Sequence, residues 1–406
     1  MSTTTRSTVS RLHGLFTKNP VAAPAATAAG GTSPVTTPAV ATTKSGRVKE
    51  LYKARSLERL VAMFKESSKE RRFRARWGIY EETVRRLMRA NRHDWIEEIL
   101  EEQKKYPDVS REGFNVRLIR LYGDAGMFEH ARKVFDEMPG RSSKITVLSF
   151  NALLAAAVHS KKYDVAKELF EELPAKMEIK PDVFSYNIVV KGLCEAGSLD
   201  AAASLIDEME EKQICQPNVV TFNTLLDGFY SNSRFDEGDA IWARLMKHQN
   251  VSPDVKSYSA KFMGLAKQKR AQEAVELVVE MKEKGLEPDA ICWHNLIKGF
   301  VNEANVEAAK QWYGEMRSRE CKPHRMTFAA LIPFVCGEGD DAGFGFKLAM
   351  DIFGTKQLVD QGLLQRVVDA LAKAGKVKEA EEVVALGMNN GYYQYSKLCL
   401  PSTGVA

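Results

Sequence analysis

Five cations crowd into eight residues of this chain: Lys69, Arg71, Arg72, Arg74 and Arg76, in the run KERRFRAR. Side chains of that type and density neutralise phosphates and release their counterions, so the run could hold a nucleic-acid backbone. Phe73, in its middle, could stack on a base or pack into a core. A charge run can equally be a solvated linker. What favours function is contrast. Residues 112–406 carry 36 basic and 41 acidic residues, residues 47–111 carry 18 and 12, and residues 1–46 carry 4 and none. The formal net charge of +5 therefore hides an acidic body behind a basic front. Binding follows the local patch, not the total.

Other chemistry is hard to find. There is no GxxxxGK[ST] phosphate loop, HExxH zinc helix or GxSxG elbow. GFGF at 343–346 lacks the spacing of a dinucleotide fingerprint, and the acidic pairs Asp340–Asp341 and Glu381–Glu382 read as solvated faces. Six cysteines, at 194, 215, 292, 321, 336 and 399, form no CxxC pair and read as small hydrophobes in a reducing compartment. With 44% hydrophobic and 27% charged residues the chain is a folded, water-facing one. No run reaches the roughly 18 apolar residues of a spanning helix. The expectation is a protein that is not an enzyme and needs no cofactor or metal.

Residues 1–46 are rich in Thr, Ser and Ala, hold Arg6, Arg11, Lys18 and Lys44, and contain no acid. That is the composition of an organelle transit peptide, mitochondrial before plastid because arginine and leucine cluster at the start. Residues 47–76 read as a basic helical segment, with Leu51, Leu57, Leu60 and Phe64 at helical spacing.

The elements that position everything else come from self-similarity. VLSFNALLAAA at 147, VFSYNIVVKGL at 183, VVTFNTLLDGF at 219, VKSYSAKFMGL at 255 and AICWHNLIKGF at 290 repeat one pattern. Extended both ways, the starts are Trp77, Glu112, Val147, Val183, Val219, Val255, Ala290, Arg325 and Gln361, every 35 or 36 residues. Each unit reads as two helices. The Ser/Thr in the third place is the expected N-cap of the first. A turn carries glycine in the fifteenth place (Gly126, Gly197, Gly339, Gly375). The twentieth place is small (Ala131, Ala166, Ala202, Gly238, Ala274, Ala309, Ala380), marking a close helix crossing. Proline near the unit's end (Pro181, Pro217, Pro253, Pro288, Pro323) stops the second helix. One pair cannot bury its own apolar face, so the units must stack. The fold class is all-α, an α-solenoid over 77–390 with atypical units at 77, 325 and 361, followed by a tail over 391–406.

A 35-residue helical pair with TFNTLLDGF, SYNIVVKGL and a closing PD or PN resembles the pentatricopeptide repeat family, whose members are mostly plant organellar RNA-binding proteins. The resemblance implies a right-handed superhelix in which a repeat's fifth and last residues select one base, in keeping with a code of one base per repeat. Carried over, Asn151 with Asp182 favours uracil, Asn187 with Asn218 a pyrimidine, Asn223 with Asp254 uracil, and Ser259 with Asp289 leans to guanine. Val116 with Thr146, His294 with His324, and Ala329 with Asp360 depart from the family's pairs. The two histidines could meet across a repeat junction, but a zinc site needs further ligands. The legible address is about four bases. The thirteenth place, where family members often present lysine, holds Asp124, His159, Glu195, Ser231, Lys267, Asn302, Gly337 and Lys373, a poor phosphate rail. The asparagines could also be local hydrogen-bonding residues. The layout, including GFNVRLIRLYGDAGMFEHARKVFDEMP at 113–139 and YYQYSKLCLP at 392–401, resembles the short members built into the plant mitochondrial ribosome, particularly its small subunit. That resemblance implies rRNA and mitochondrial ribosomal proteins as partners, with Lys69–Arg76 on phosphate. A free transcript-binding factor is the alternative.

Overall fold

A computed structural model describes residues 44–211, 215–337, 339–389, 395 and 397–401. The expected transit peptide lies almost wholly outside the described residues, as does most of the tail. Two units are distinct, 1–53 and 54–406. The first contains one described helix, α1 (Lys44–Lys53). The second opens with α2 (Leu57–Ser68) and the single turn α3 (Arg71–Arg74), then runs through nine helical pairs. These are α4 (Trp77–Arg89) with α5 (His93–Gln103), α6 (Glu112–Asp124) with α7 (Phe128–Glu137), and α8 (Val147–His159) with α9 (Tyr163–Met177). Next come α10 (Val183–Glu195) with α11 (Leu199–Glu211), α12 (Val219–Ser231) with α13 (Phe235–Lys247), and α14 (Val255–Lys267) with α15 (Ala271–Glu283). The last are α16 (Ala290–Asn302) with α17 (Val306–Ser318), α18 (Arg325–Cys336) with α19 (Ala342–Thr355), and α20 (Gln361–Lys373) with α21 (Val377–Asn389). Among the described residues there is no strand. Every first helix starts at the residue the repeat register predicts.

The cap of that helix is not the third-place Ser/Thr. The capping residue stands one place before the helix, which makes it the last residue of the preceding unit: Thr146, Asp182, Asn218 and Asp254. The third-place hydroxyl sits at N3 and returns a bond to the cap's own N–H, closing a capping box. Two orphan donors are satisfied at each such helix start. The prolines do not stop the second helices either. In three units the chain has already left the helix through a left-handed residue, Glu178, Gly285 or Glu320, and proline follows in the connection.

The turn between paired helices does need a left-handed residue in the fifteenth place. Gly126, Gly197 and Gly375 supply it at φ 72°, 80° and 73°. Asn91, Lys161, Ser233, Lys269 and Ala304 adopt the same conformation at φ 55–61° with a β-carbon in place. Gly339 does not, because α18 contains Pro333 and ends one residue short of the register, so Asp340 takes the left-handed position at φ 40°. The small twentieth-place residues are all buried at the helix crossing.

A second small position decides how the units stack. Gly192, Gly228 and Gly264 stand in the tenth place of their helices, against the twelfth-place residue of the preceding first helix. A β-carbon would fall 2.9 Å from Val158 Cγ2, 2.6 Å from Cys194 Sγ and 2.5 Å from Tyr230 Cδ1 respectively. Successive first helices thus touch directly, whereas second helices for the most part touch only their neighbouring first helices. The first helices therefore form the continuous, closely packed layer of the stack.

Within the second unit, α2 and α3 are folded onto the first helical pair. Ser56 caps α2, and Leu60, Val61 and Phe64 are buried. Phe64 meets Phe73 and Tyr80 edge-on at 5.3 and 4.8 Å. A buried polar thread, Tyr80 hydroxyl to Gln103 (2.7 Å) and Gln103 to Ser68 (3.1 Å), ties α2 to α4 and α5. At the far end Tyr395 is fully buried beyond α21, its hydroxyl donating to Val359 O and accepting from Val359 N.

Candidate nucleic-acid interface

On three successive first helices the fifth residue is asparagine, and each amide is bonded in the same way. Asn151 Nδ2 donates to Asp182 Oδ1 at 3.0 Å, and Asn151 Oδ1 accepts from Ser185 Oγ at 2.6 Å. Asn223 repeats this with Asp254 Oδ1 (3.0 Å) and Ser257 Oγ (2.6 Å). Asn187 does so with Asn218 Oδ1 (3.3 Å) and Thr221 Oγ1 (2.7 Å). Three of the four pairs expected to read a base are thus joined across a repeat junction, and in each the second member is also the N-cap of the next helix.

What these groups have left determines what they can recognise. Asp182 Oδ1 and Asp254 Oδ1 are taken up by the cap and the asparagine, leaving Oδ2 as an acceptor beside the second Nδ2–H of Asn151 or Asn223. An acceptor next to a donor matches the N–H and carbonyl of a uracil edge. Asn218 spends its Oδ1 in the same manner and keeps its NH₂, so with Asn187 it offers two donors, which suits the acceptors of a pyrimidine. The third-place hydroxyls Ser185, Thr221 and Ser257 fix which way each amide points. Sequence reasoning treated them only as caps.

The ladder ends on both sides. Asp289 caps α16 through Ile291 N and Cys292 N, yet among the described residues no hydrogen bond joins it to Ser259. Serine is shorter than asparagine, and Cys292 stands where the hydroxyl should be, its buried thiol pushed up by desolvation. In the next unit His294 Nδ1 lies 3.4 Å from Thr327 Oγ1. Burial first, then the nearby His324 and Lys298, lower His294 to about 4, so the ring is neutral. Before the ladder, Val116 makes no such contact. Glu112 Oε1 instead accepts from Thr146 N, Thr146 Oγ1 and Ser149 Oγ at 2.7–2.8 Å.

One turn before these positions, the second place of four first helices carries an apolar residue left open to solvent. Leu148, Val220, Ile291 and Met326 are 45, 41, 37 and 49% exposed. Helix positions three apart share a face, so these aliphatics flank the fifth-place groups and can lie against the flat of a base. A signal existed in the sequence: the second place falls outside the buried stripe at places four, seven, eight and eleven. In the thirteenth place several side chains are engaged within the protein. Lys267 Nζ caps the preceding first helix through Tyr230 O and Ser231 O, Asn302 caps Ala266 O, and His159 pairs with Asp124 at 3.0 Å.

The basic run divides. Arg71, Arg72 and Arg76 are exposed, and Lys69 is exposed with a Glu66 partner at 2.6 Å. Arg74 does not belong with them. Its guanidinium is buried, bonded to Asp108 Oδ2 (2.7 Å) and to the carbonyls of Ser68 and Lys69, and lies over the Tyr106 ring. Phe73 packs in the core.

Models of one repeat family match most of this solenoid. The PPR repeat family model matches 145–195, 181–231 and 217–267, the pentatricopeptide repeat domain 243–303 and 276–338, and the PPR repeat 117–143 and 366–391. Among Arabidopsis thaliana proteins the chain is similar to small ribosomal subunit protein mS78, at 58% identity over 129 residues, 32% of each chain. It is also similar to small ribosomal subunit protein mL103, at 31% over 256 residues, 63% of this chain and 61% of that one. The matched stretches thus span between about a third and three-fifths of those relatives. Maize PPR10 superposes with a TM-score of 0.48 at 18% identity, over 86% of this chain and 54% of that one. With its 35- and 36-residue helical pairs and its matched repeats covering more than half its length, the chain belongs to the pentatricopeptide repeat family.

Proposed function

We propose that this chain is an RNA-binding structural component of a plant mitochondrial ribosome, in its small subunit. The observation that carries this reading is the 58% identity to a protein named as a small ribosomal subunit component. The geometry agrees with it. A groove with three oriented edge-reading pairs can hold RNA, but three pairs make too short an address to select a transcript unaided. In a ribosome, assembly supplies the rRNA identity, and the protein needs phosphate contacts, shape and neighbours. The acidic outer body suits basic ribosomal proteins, and Arg71, Arg72 and Arg76 suit rRNA. Residence in the mitochondrial matrix follows from this reading, as does action by binding, not catalysis.

The order in the ladder favours a second reading, a free organellar factor that stabilises, processes or helps translate a transcript. Sedimentation of organelle lysate, with and without RNase and magnesium chelation, separates them. Near-stoichiometric migration with the small subunit in moderate salt is the expected result. Confinement to light, RNase-sensitive fractions would leave the transcript factor.

A further inference from the structure

Where the ladder gives out at its first end, the groove changes its chemistry. Arg117 and Arg120, in the sixth and ninth places of α6, both lie over the Trp77 ring, at 5.8 and 6.0 Å. Among the described residues neither has a carboxylate partner, although most arginines farther along the solenoid do. Trp77 is held in place: its indole N–H donates to Glu81 Oε1 at 2.5 Å, and its ring stacks on Tyr80 at an interplanar angle of 16°. Arg76, exposed, is the adjoining residue that opens α4. The pair of guanidiniums stands one repeat before Asn151, beside Val116, where a base-reading pair is missing.

We propose that Trp77, Arg117 and Arg120, with Arg76 beside them, anchor the sugar–phosphate backbone of a single-stranded RNA at the end of the groove. This rests on the reading that the groove holds RNA. A tryptophan face carrying two guanidiniums presets them with little entropy left to lose, and planar guanidiniums take phosphate oxygens in pairs. The position argues for RNA over an acidic protein. A strand whose bases sit on the asparagine ladder must continue onto α6, and there it meets two unpaired cations and no edge-reading group.

The test is the salt dependence of binding of the full chain to a fluorescein-labelled oligouridylate long enough to span the ladder and a further repeat on each side. Each phosphate contact contributes about 0.7 to the log–log slope for a single strand. Arg117→Gln/Arg120→Gln should lower the slope by about 1.4. It should also weaken oligouridylate and oligocytidylate by the same factor, leaving base preference intact. Arg117→Lys/Arg120→Lys should keep the slope. If the double variant loses its circular dichroism, the single Arg→Gln variants, each expected to remove about 0.7, carry the test. An unchanged slope in folded variants overturns the anchor alone. Polyglutamate competing as well as oligouridylate overturns it in favour of an acidic protein. A wild-type chain that binds no oligouridylate at any salt overturns the RNA reading as well.

Discussion

Truncating Arg74 would strand Asp108, a carboxylate that is 8% exposed, with its close ion-pair partner gone. Loss of one member of a buried pair costs about 3–5 kcal/mol, so Arg74→Ala should lower the unfolding midpoint sharply. Arg72→Ala, two residues away and exposed, should change stability by no more than about 0.5 kcal/mol and barely move that midpoint. Thermal melts of the two variants check this. Nothing in KERRFRAR distinguishes the two arginines, because what buries Arg74 is Asp108, 34 residues away. His294 makes a second test. Its folded value, about 4, lies below its ordinary 6.5. Between those limits the unfolded chain binds a proton there that the folded chain refuses. Stability from this group is present above 6.5 and is lost as pH falls toward 4, by up to about 1.4 kcal/mol per unit. His294→Asn should flatten the pH dependence of denaturant midpoints in that window, other titrating groups cancelling in the comparison. A steep dependence that survives the substitution would rule this out.

At the level of the helix pair, the fifteenth and tenth places respond in opposite senses. Ala304 holds a left-handed φ of 56° with a β-carbon, a conformation that costs roughly 1–2 kcal/mol, so Ala304→Gly should stabilise by about 1 kcal/mol after glycine's extra unfolded entropy is offset. Gly264→Ala should destabilise by about 1–3 kcal/mol, because its methyl would press into the buried Tyr230 ring. Urea titration of both variants gives the signs. Helix starts, the turn and the twentieth-place crossing could all be read from the sequence, since each depends on a residue type recurring at a fixed local spacing. The capping assignment fell three residues late. A serine three places into a helix and an aspartate one place before it form a single box, and the composition of the pattern does not say which is the cap. The pairing of Asn151 with Asp182 followed from family resemblance. Its bonding to Ser185 did not, because a hydroxyl that serves two repeats at once is visible only when the repeats are stacked.

Across the whole molecule, exposed cations before the repeats and an acidic body behind them should make association salt-dependent on the ribosomal reading proposed above. If the chain sits in the small subunit as proposed, replacing Arg71, Arg72 and Arg76 by glutamine should release it at lower salt than wild type without altering its melting temperature, which gradient fractions at stepped salt would reveal. Change at the asparagine ladder is less free. The group that would read a base at Asn223 also bonds the cap of the next helix and the hydroxyl behind it. A substitution there edits an address and loosens a seam together. A lineage could therefore stop using its bases long before it could discard these asparagines, and the letters would outlast the message.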